Sequence, residues 1–294
     1  MPELPEVETV RIGLEPVLVG NRFASVEQRR KDLRFPLPVN FAKRLSGRKV
    51  EALDRRAKYL LARLDDGEVL VMHLGMTGRF SIDRANGETL EPGRFYDAAP
   101  AAPKHEHIVF HMGDGAAVRY ADARRFGYMD LIRQSGLDEH ALFKGLGIEP
   151  LSDHFTSEWL ANRFKGKKTS IKAALVDQRL IAGLGNIYAS EALYRAKISP
   201  LRLARTVATK SGKPTAKTEA LVKSIKAVLG EAIKAGGSSL RDYARADGTL
   251  GEFQHSFKVY DRPGKPCLTK DCRGKVRRIV QGGRSTFYCP TCQK

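Results

Sequence analysis

The chain has 294 residues, comfortable for two domains when one domain usually takes roughly 100–200. Its composition, 42% apolar and 29% charged, excludes global disorder, and 51 Lys and Arg against 33 Asp and Glu give a formal charge of +18. The simplest partner for such a surface is a polyanion, DNA or RNA, because neutralised phosphates release counterions; charge alone does not choose between them, and a merely solvated basic surface is the alternative. No run approaches the roughly 20 apolar residues of a membrane span, and the acidic first residues lack the basic flank and apolar stretch of a signal peptide, so a cytoplasmic protein is expected.

From Pro5 onward, Val7, Val10 and Leu14 share one helical face, with Pro5 in the first turn and Glu6 and Glu8 favourably placed against the helix dipole. An N-terminal helix is therefore predicted. Strand signals follow: YLLARL and EVLVMHL flank a turn at Asp65-Asp66-Gly67, and HIVFHM and AAVRYAD flank Gly113-Asp114-Gly115, which suggests hairpins of an antiparallel sandwich. The stretch 87–103, rich in Gly, Pro and Ala, has no period and is expected to be a long surface loop. After about residue 135 strand signals give way to helical ones: SEWLANRF, SIKAALVDQ, NIYASEALYRA and a long amphipathic segment through Leu221, Val222, Ile225, Val228, Leu229 and Ile233, ending at Gly236-Gly237. The fold class is thus α+β, with domains expected at 1–135 and 151–255, a linker at 136–150, and a cysteine-bearing module at 256–294.

All four cysteines lie in the last 28 residues, as Cys267-x4-Cys272 and Cys289-x2-Cys292. Two thiolate pairs joined by a hairpin, CRGKVRRIVQGGRSTFYC, suit one tetrahedral Zn²⁺, and four cysteines leave no position for a catalytic water, so the zinc is structural. Arg273, Lys275, Arg277, Arg278 and Arg284 make that hairpin basic. These features alone describe a zinc-ribbon nucleic-acid binder without catalysis.

The chain begins Met-Pro-Glu-Leu-Pro-Glu. A small second residue favours removal of the initiator Met, which would expose a secondary amine at Pro2 beside Glu3 and Glu6. Such an amine, with a pKa near about 8, is partly neutral at cellular pH and can attack a carbon that becomes an iminium while a carboxyl group moves protons. The same residues would also serve as an ordinary charged helix start.

From MPELPEVETV through RRAKYLL, HLGMTGRF, DARRFG, GLGNIYASEAL and QGGRSTFYCPTCQ, the whole chain resembles bacterial formamidopyrimidine-DNA glycosylase, an 8-oxoguanine DNA glycosylase and abasic-site lyase. The resemblance implies an N-terminal antiparallel β-sandwich with flanking helices, and a C-terminal helical domain with a helix-two-turn-helix motif and a β-hairpin zinc finger. It implies excision of oxidised purines from damaged double-stranded DNA by a monomeric enzyme. By the same resemblance Pro2 is the nucleophile at C1′, Glu3 the proton donor to the sugar ring oxygen, Glu6 a support, and Lys58 a catalytic lysine near the lesion. Met76, Arg124 and Phe126 match the residues that fill the void left by the extruded base. His73, Asn186 and Arg284 match phosphate contacts, with Arg125 a further candidate; Arg284 also assists δ-elimination. Periodicity by itself would place Met76 and Phe126 in a core, and Lys58 on an exposed strand edge. The first cysteine pair departs from many relatives in having four intervening residues rather than two, and 238–254 corresponds to a lesion-capping loop. The sister enzyme endonuclease VIII, which removes oxidised pyrimidines, shares the proline chemistry; MPELPEVE and QGGRSTFYCP favour the purine enzyme.

Overall fold

The computed structural model describes residues 2–93, 102–238 and 253–294. One compact unit runs to Lys144 and takes in the segment beginning at Ala235; the other comprises Gly145–Lys234 and Phe253–Lys294.

The first unit opens with α1 (Leu4–Leu18), with Pro5 in its first turn and the carboxylate of Glu6 returning to accept the Glu3 N–H at 2.9 Å. Its expected apolar face is buried: Val7 and Val10 are each 1% exposed and Leu14 0%. Then follow β1 (Phe23–Gln28), α2 (Phe41–Leu45), β2 (Val50–Arg56), β3 (Tyr59–Leu64), β4 (Glu68–His73), β5 (Gly78–Asp83), β6 (Thr89–Leu90), β7 (Glu106–Met112), β8 (Ala117–Asp122) and β9 (Tyr128–Arg133). They form two antiparallel sheets, ordered β2-β3-β4-β9 and β1-β7-β8-β5-β6.

The side-chain period of two explains how the sheets share a core. Leu60, Ala62, Leu64, Leu70 and Met72 from the first sheet meet Phe80, Ile82, Ile108, Phe110, Val118 and Tyr120 from the second, and Val7, Val10 and Leu14 join the same cluster. Each large apolar side chain so buried contributes roughly 1.5–3 kcal/mol relative to exposure. Both expected hairpins are present, β3–β4 and β7–β8. The expected loop at 87–103 contains β6, a short strand paired Ile82↔Leu90 and Asp83↔Thr89, which the Thr89 hydroxyl reinforces by donating to Asp83 at 2.9 Å.

The second unit is helical. Thr156 caps α3 (Ser157–Phe164) by accepting the Trp159 N–H at 3.1 Å, and Ser170 caps α4 (Ile171–Leu175) by accepting that of Ala173 at 3.3 Å. The next helices are α5 (Asn186–Arg195) and α6 (Ala216–Lys234); the latter buries Leu221, Val222, Ile225, Val228, Leu229 and Ala232, whereas the expected Ile233 is only half-buried near the helix end, and packs on α5 and α3. Strands β10 (Arg277–Gln281) and β11 (Arg284–Tyr288) pair antiparallel around Gly282-Gly283, whose φ values of 56° and 73° are those of a two-residue hairpin turn that glycine adopts without strain. Among the described residues no helix is long and apolar enough to cross a membrane. Most of the expected lesion-capping stretch, 239–252, lies outside the described residues.

One buried acid ties the cysteine-bearing segment to this helical scaffold. Glu191 on α5, 1% exposed, accepts the backbone N–H groups of Lys258, Val259 and Tyr260 at 2.9, 2.9 and 2.8 Å. Replacing it leaves three donors without an acceptor. Glu191→Ala is therefore expected to lower unfolding free energy by about 2–4 kcal/mol, with Glu191→Gln losing less because one acceptor oxygen remains. Denaturant unfolding measures both, and an alanine variant as stable as the parent would remove this anchor.

Candidate active site and metal centre

In the first unit the functional candidates gather at the start of α1 and at the ends of the β2–β3 and β4–β5 strands. Pro2 is buried, Glu3 is 4% and Glu6 2% exposed. Glu6 is a hub: besides the Glu3 N–H, its carboxylate accepts the N–H and the hydroxyl of Ser238, each at 2.9 Å. The N-terminal stretch of chain is thereby fixed against the residue that precedes 239–252. Register Arg56↔Tyr59 leaves Ala57-Lys58 as a two-residue turn, with Ala57 at φ 55°. Lys58 is 6% exposed there, not the open strand-edge lysine that the local pattern suggested. Withdrawal from water strengthens any charge-assisted bond that its ammonium makes to a phosphate.

His73 ends β4. Its Nδ1 accepts the Gly75 N–H at 3.0 Å and its ring stacks on Tyr128, with centroids 5.1 Å apart and planes 14° apart. Burial first, then the charges of Lys58 and Arg34, lower its pKa to about 4. The accepting Nδ1 and the depressed pKa agree on a neutral imidazole, whose Nε2 carries the proton and is a donor. Two loops follow, Gly75-Met76-Thr77 and Ala123–Gly127. Phe126 is 42% exposed and Met76 half-buried, so neither is the core residue that periodicity favoured. The Arg124 guanidinium lies over the Phe126 ring at 4.6 Å, and Arg124, Arg125, Arg34, Leu33 and Phe126 line one open cavity of about 380 Å³. Arg125 sits at φ 54° and its guanidinium is 3.5 Å from Asp32.

In the second unit Asn186 is the first residue of α5, where helix N–H groups lack partners. Its Nδ2 donates to the Ser285 carbonyl at 2.8 Å, while its Oδ1 accepts a short hydrogen bond from Lys172. Lys172, 2% exposed, also donates to the Thr286 hydroxyl at 2.6 Å. Gln178 braces the GLGN loop, accepting the Gly183 N–H at 2.9 Å and donating to the Leu184 carbonyl at 2.8 Å. Arg284 is exposed at the start of β11, next to the residue that Asn186 holds. Sequence reasoning missed Lys172 and Gln178. A lysine between Ile171 and Ala173 on a capped helix was the available signal, and a weak one.

The four cysteines converge. Their sulfurs all lie within 4.8 Å of one another, with Cys267–Cys292 at 3.7 Å and Cys272–Cys289 at 3.8 Å. Those separations are too long for disulfides and match the edge of a tetrahedron, about 3.8 Å for Zn–S bonds of about 2.3 Å. Thr269 and Gly274 donate backbone N–H groups to Cys267 and Cys272, each at 3.4 Å, as thiolate ligands require. A Cβ on Gly274 would lie 2.9 Å from the Cys289 sulfur, so only glycine admits this close approach. The longer first knuckle leaves the donor set intact, and the residues fit a structural zinc.

Models of three families match the chain: the formamidopyrimidine-DNA glycosylase N-terminal domain over residues 1–129, the formamidopyrimidine-DNA glycosylase H2TH domain over 146–244, and the zinc finger found in FPG and IleRS over 264–294. A formamidopyrimidine-DNA glycosylase of Methylobacterium sp. (strain 4-46) is 58% identical over 100% of this chain and 99% of its own length; one from Chelativorans sp. (strain BNC1) is 56% identical over 100% of both. Among solved structures, a Lactococcus lactis FPG mutant complexed with Fapy-dG-containing DNA superposes with a TM-score of 0.81 at 34% identity, covering 100% of each chain. The MutM (Fpg) protein of Thermus thermophilus does so with a TM-score of 0.80 at 39% identity, covering 99% of this chain and 98% of that one.

The imidazole of His73 should titrate by NMR at about 4. Its folded value lies below the unfolded one of about 6.5, so the unfolded chain binds the extra proton between them and His73 makes stability rise with pH across that window. A midpoint near 6.5 would remove the buried, positively flanked environment. Cys289→Ser should release the metal and melt the β10–β11 module, and stoichiometric zinc retained in the purified variant would refute the four-thiolate centre.

Proposed function

Because the chain belongs to the formamidopyrimidine-DNA glycosylase family, we propose that it excises oxidised purines, 8-oxoguanine and formamidopyrimidines, from duplex DNA in base excision repair and cuts the strand at the resulting site. The observation that carries this reading is Pro2, buried beside the buried carboxylates of Glu3 and Glu6 at the start of α1.

Removal of Met1 frees the Pro2 nitrogen. Its lone pair attacks C1′, the base leaves with the glycosidic electrons, and Glu3 protonates the sugar ring oxygen as the ring opens to an iminium. The iminium acidifies the adjacent sugar protons, so β-elimination expels the 3′ phosphate and δ-elimination, assisted by Arg284, expels the 5′ phosphate. Glu6 holds the Glu3 backbone in place for this sequence. Lys58 acts close to the lesion and its phosphate, where its burial strengthens a charge-assisted hydrogen bond. His73 offers a neutral N–H to a phosphate, Asn186 and the N-terminal amides of α5 bind another, and Arg284 and Arg125 add charged contacts. Met76, Arg124 and Phe126 occupy the gap left by the extruded nucleotide; the half-exposed ring and the guanidinium stacked on it support that assignment.

Zinc, held by Cys267, Cys272, Cys289 and Cys292, supplies rigidity to the hairpin that bears Arg284 and no chemistry of its own. The division of labour is catalytic for 1–135, linking for 136–150, DNA-binding with a lesion cap for 151–255 and zinc-finger for 256–294. The enzyme works as a cytoplasmic monomer on nucleoid DNA.

Borohydride reduction during turnover on a duplex with 8-oxoguanine opposite cytosine should leave a covalent adduct whose linkage maps to the peptide beginning at Pro2, with a weaker yield on thymine glycol. Pro2→Gly should abolish base excision while retaining affinity for an abasic-site analogue. Linkage at another side chain would refute the nucleophile, and preference for thymine glycol would refute the substrate class.

A further inference from the structure

Asp122, at the end of β8, is 0% exposed, and its carboxylate bonds Thr77, Tyr120 and Gly127, none of them a group assigned to the reaction. A buried carboxylate is costly unless its oxygens are satisfied, so its hydrogen bonds identify what it holds. One oxygen accepts a short hydrogen bond from the Thr77 hydroxyl, and the other accepts the Gly127 N–H at 2.8 Å and the Tyr120 hydroxyl at 3.4 Å. Burial, and then the charge of Asp122, raise the Tyr120 pKa well above its ordinary value, so that phenol remains a donor. Thr77 passes the connection on: the same hydroxyl that donates to Asp122 accepts the Arg124 N–H at 3.1 Å. The Asp122 carbonyl accepts the Arg125 N–H at 3.2 Å and lies 2.9 Å from Nε2 of His107.

These bonds reach both loops that carry the void-filling side chains. Thr77 follows Met76, and Arg124, Arg125 and Gly127 bracket Phe126. The loops also touch backbone to backbone: a Cβ on Gly75, whose φ is 61°, would fall 2.2 Å from Gly127 N and Phe126 C, and one on Gly127 would fall 1.9 Å from the Tyr120 hydroxyl oxygen. Neither loop has an independent place to rest.

We propose that Asp122 is a positioning residue which, through the Thr77 hydroxyl, latches the Met76 turn onto the Arg124–Phe126 loop and so assembles the wedge before DNA is bound. This rests on the assignment of Met76, Arg124 and Phe126 as void fillers. The latch matters where a base must be displaced from a stack and not where the nucleotide is already unstacked. Preassembly spares the enzyme the ordering of two loops at the moment of insertion.

Thr77→Val tests the latch, because it keeps the shape of Thr77 and removes the hydroxyl between Asp122 and Arg124; Thr77→Ser keeps the hydroxyl. For a duplex with 8-oxoguanine opposite cytosine, kcat/KM of Thr77→Val should fall roughly tenfold to a hundredfold, the order of loss expected from misplacing a group by about an ångström. The fluorescence rise of a 2-aminopurine placed beside the lesion, which reports unstacking, should shrink in parallel. Cleavage of a single-stranded abasic oligonucleotide should stay near the parent rate, and Thr77→Ser should restore both duplex readouts. A normal 2-aminopurine signal in Thr77→Val, or equal losses on duplex and single-stranded DNA, would overturn the latch. Phe126→Ala separates this from the underlying assignment. If it leaves duplex excision and the 2-aminopurine signal intact, the wedge itself is wrong and the latch falls with it; if it impairs both while Thr77→Val does not, only the latch is wrong.

Discussion

Buried carboxylates with backbone N–H groups as partners are the constraint on which this structure depends. Removed from water, each must find donors, and chain segments far apart in sequence supply them. Glu6 collects the Glu3 N–H and both donors of Ser238; Asp122 collects Thr77, Gly127 and Tyr120; Glu191 collects three successive N–H groups at 258–260. In each case the acid sits on regular secondary structure or at its end, and among the groups it holds is irregular chain: Ser238, the Thr77 and Gly127 loops, and 258–260. Loops that would otherwise be mobile become extensions of a helix or a sheet, which is how functional groups on loops keep a fixed geometry.

The second unit applies the same logic with cations. Lys172 fastens the first residue of α5 to β11, and four cysteines, spaced for a tetrahedral metal, give a hairpin with little apolar core a fixed shape. The apolar contribution there is small: Val259, Val276 and Phe287 pack with Tyr194 and the cysteines. At that hairpin a metal would therefore stand in for apolar core, while the helices of the same unit bury their own around Leu221, Ile225, Val228 and Leu229.

Desolvation also sets the chemistry. His73 is kept neutral by burial and by the nearby positive charges of Lys58 and Arg34, so it acts as a hydrogen-bond donor and not as a cation. Phe126 shows the reverse case. An aromatic ring left 42% exposed beneath a guanidinium forgoes burial in the free protein, and that apolar surface is available to nucleobases. Both features suit the proposed action on a stacked polyanion.

By itself the sequence determined the elements whose signals are local. Helix faces at 3.6-residue spacing, the Asp65–Gly67 and Gly113–Gly115 hairpins, the hairpin between the cysteine pairs and the thiolate spacing could all be read within windows of a few to some twenty residues, and all but the helix expected over 170–178, which stops at Leu175, appear where the pattern put them. Motif resemblance added candidate site residues, Pro2 and Asn186 among them, but carried no geometry. Tertiary structure alone decided that Lys58 is buried, that Phe126 is not, that Lys172 grips Asn186 and that Asp122 joins two loops. The physical reason is distance along the chain: Glu6 and Ser238 are 232 positions apart and Lys172 and Thr286 are 114 apart. No propensity or periodicity encodes a hydrogen bond between such residues, because only the closed core brings them together and removes the water that would otherwise satisfy each alone.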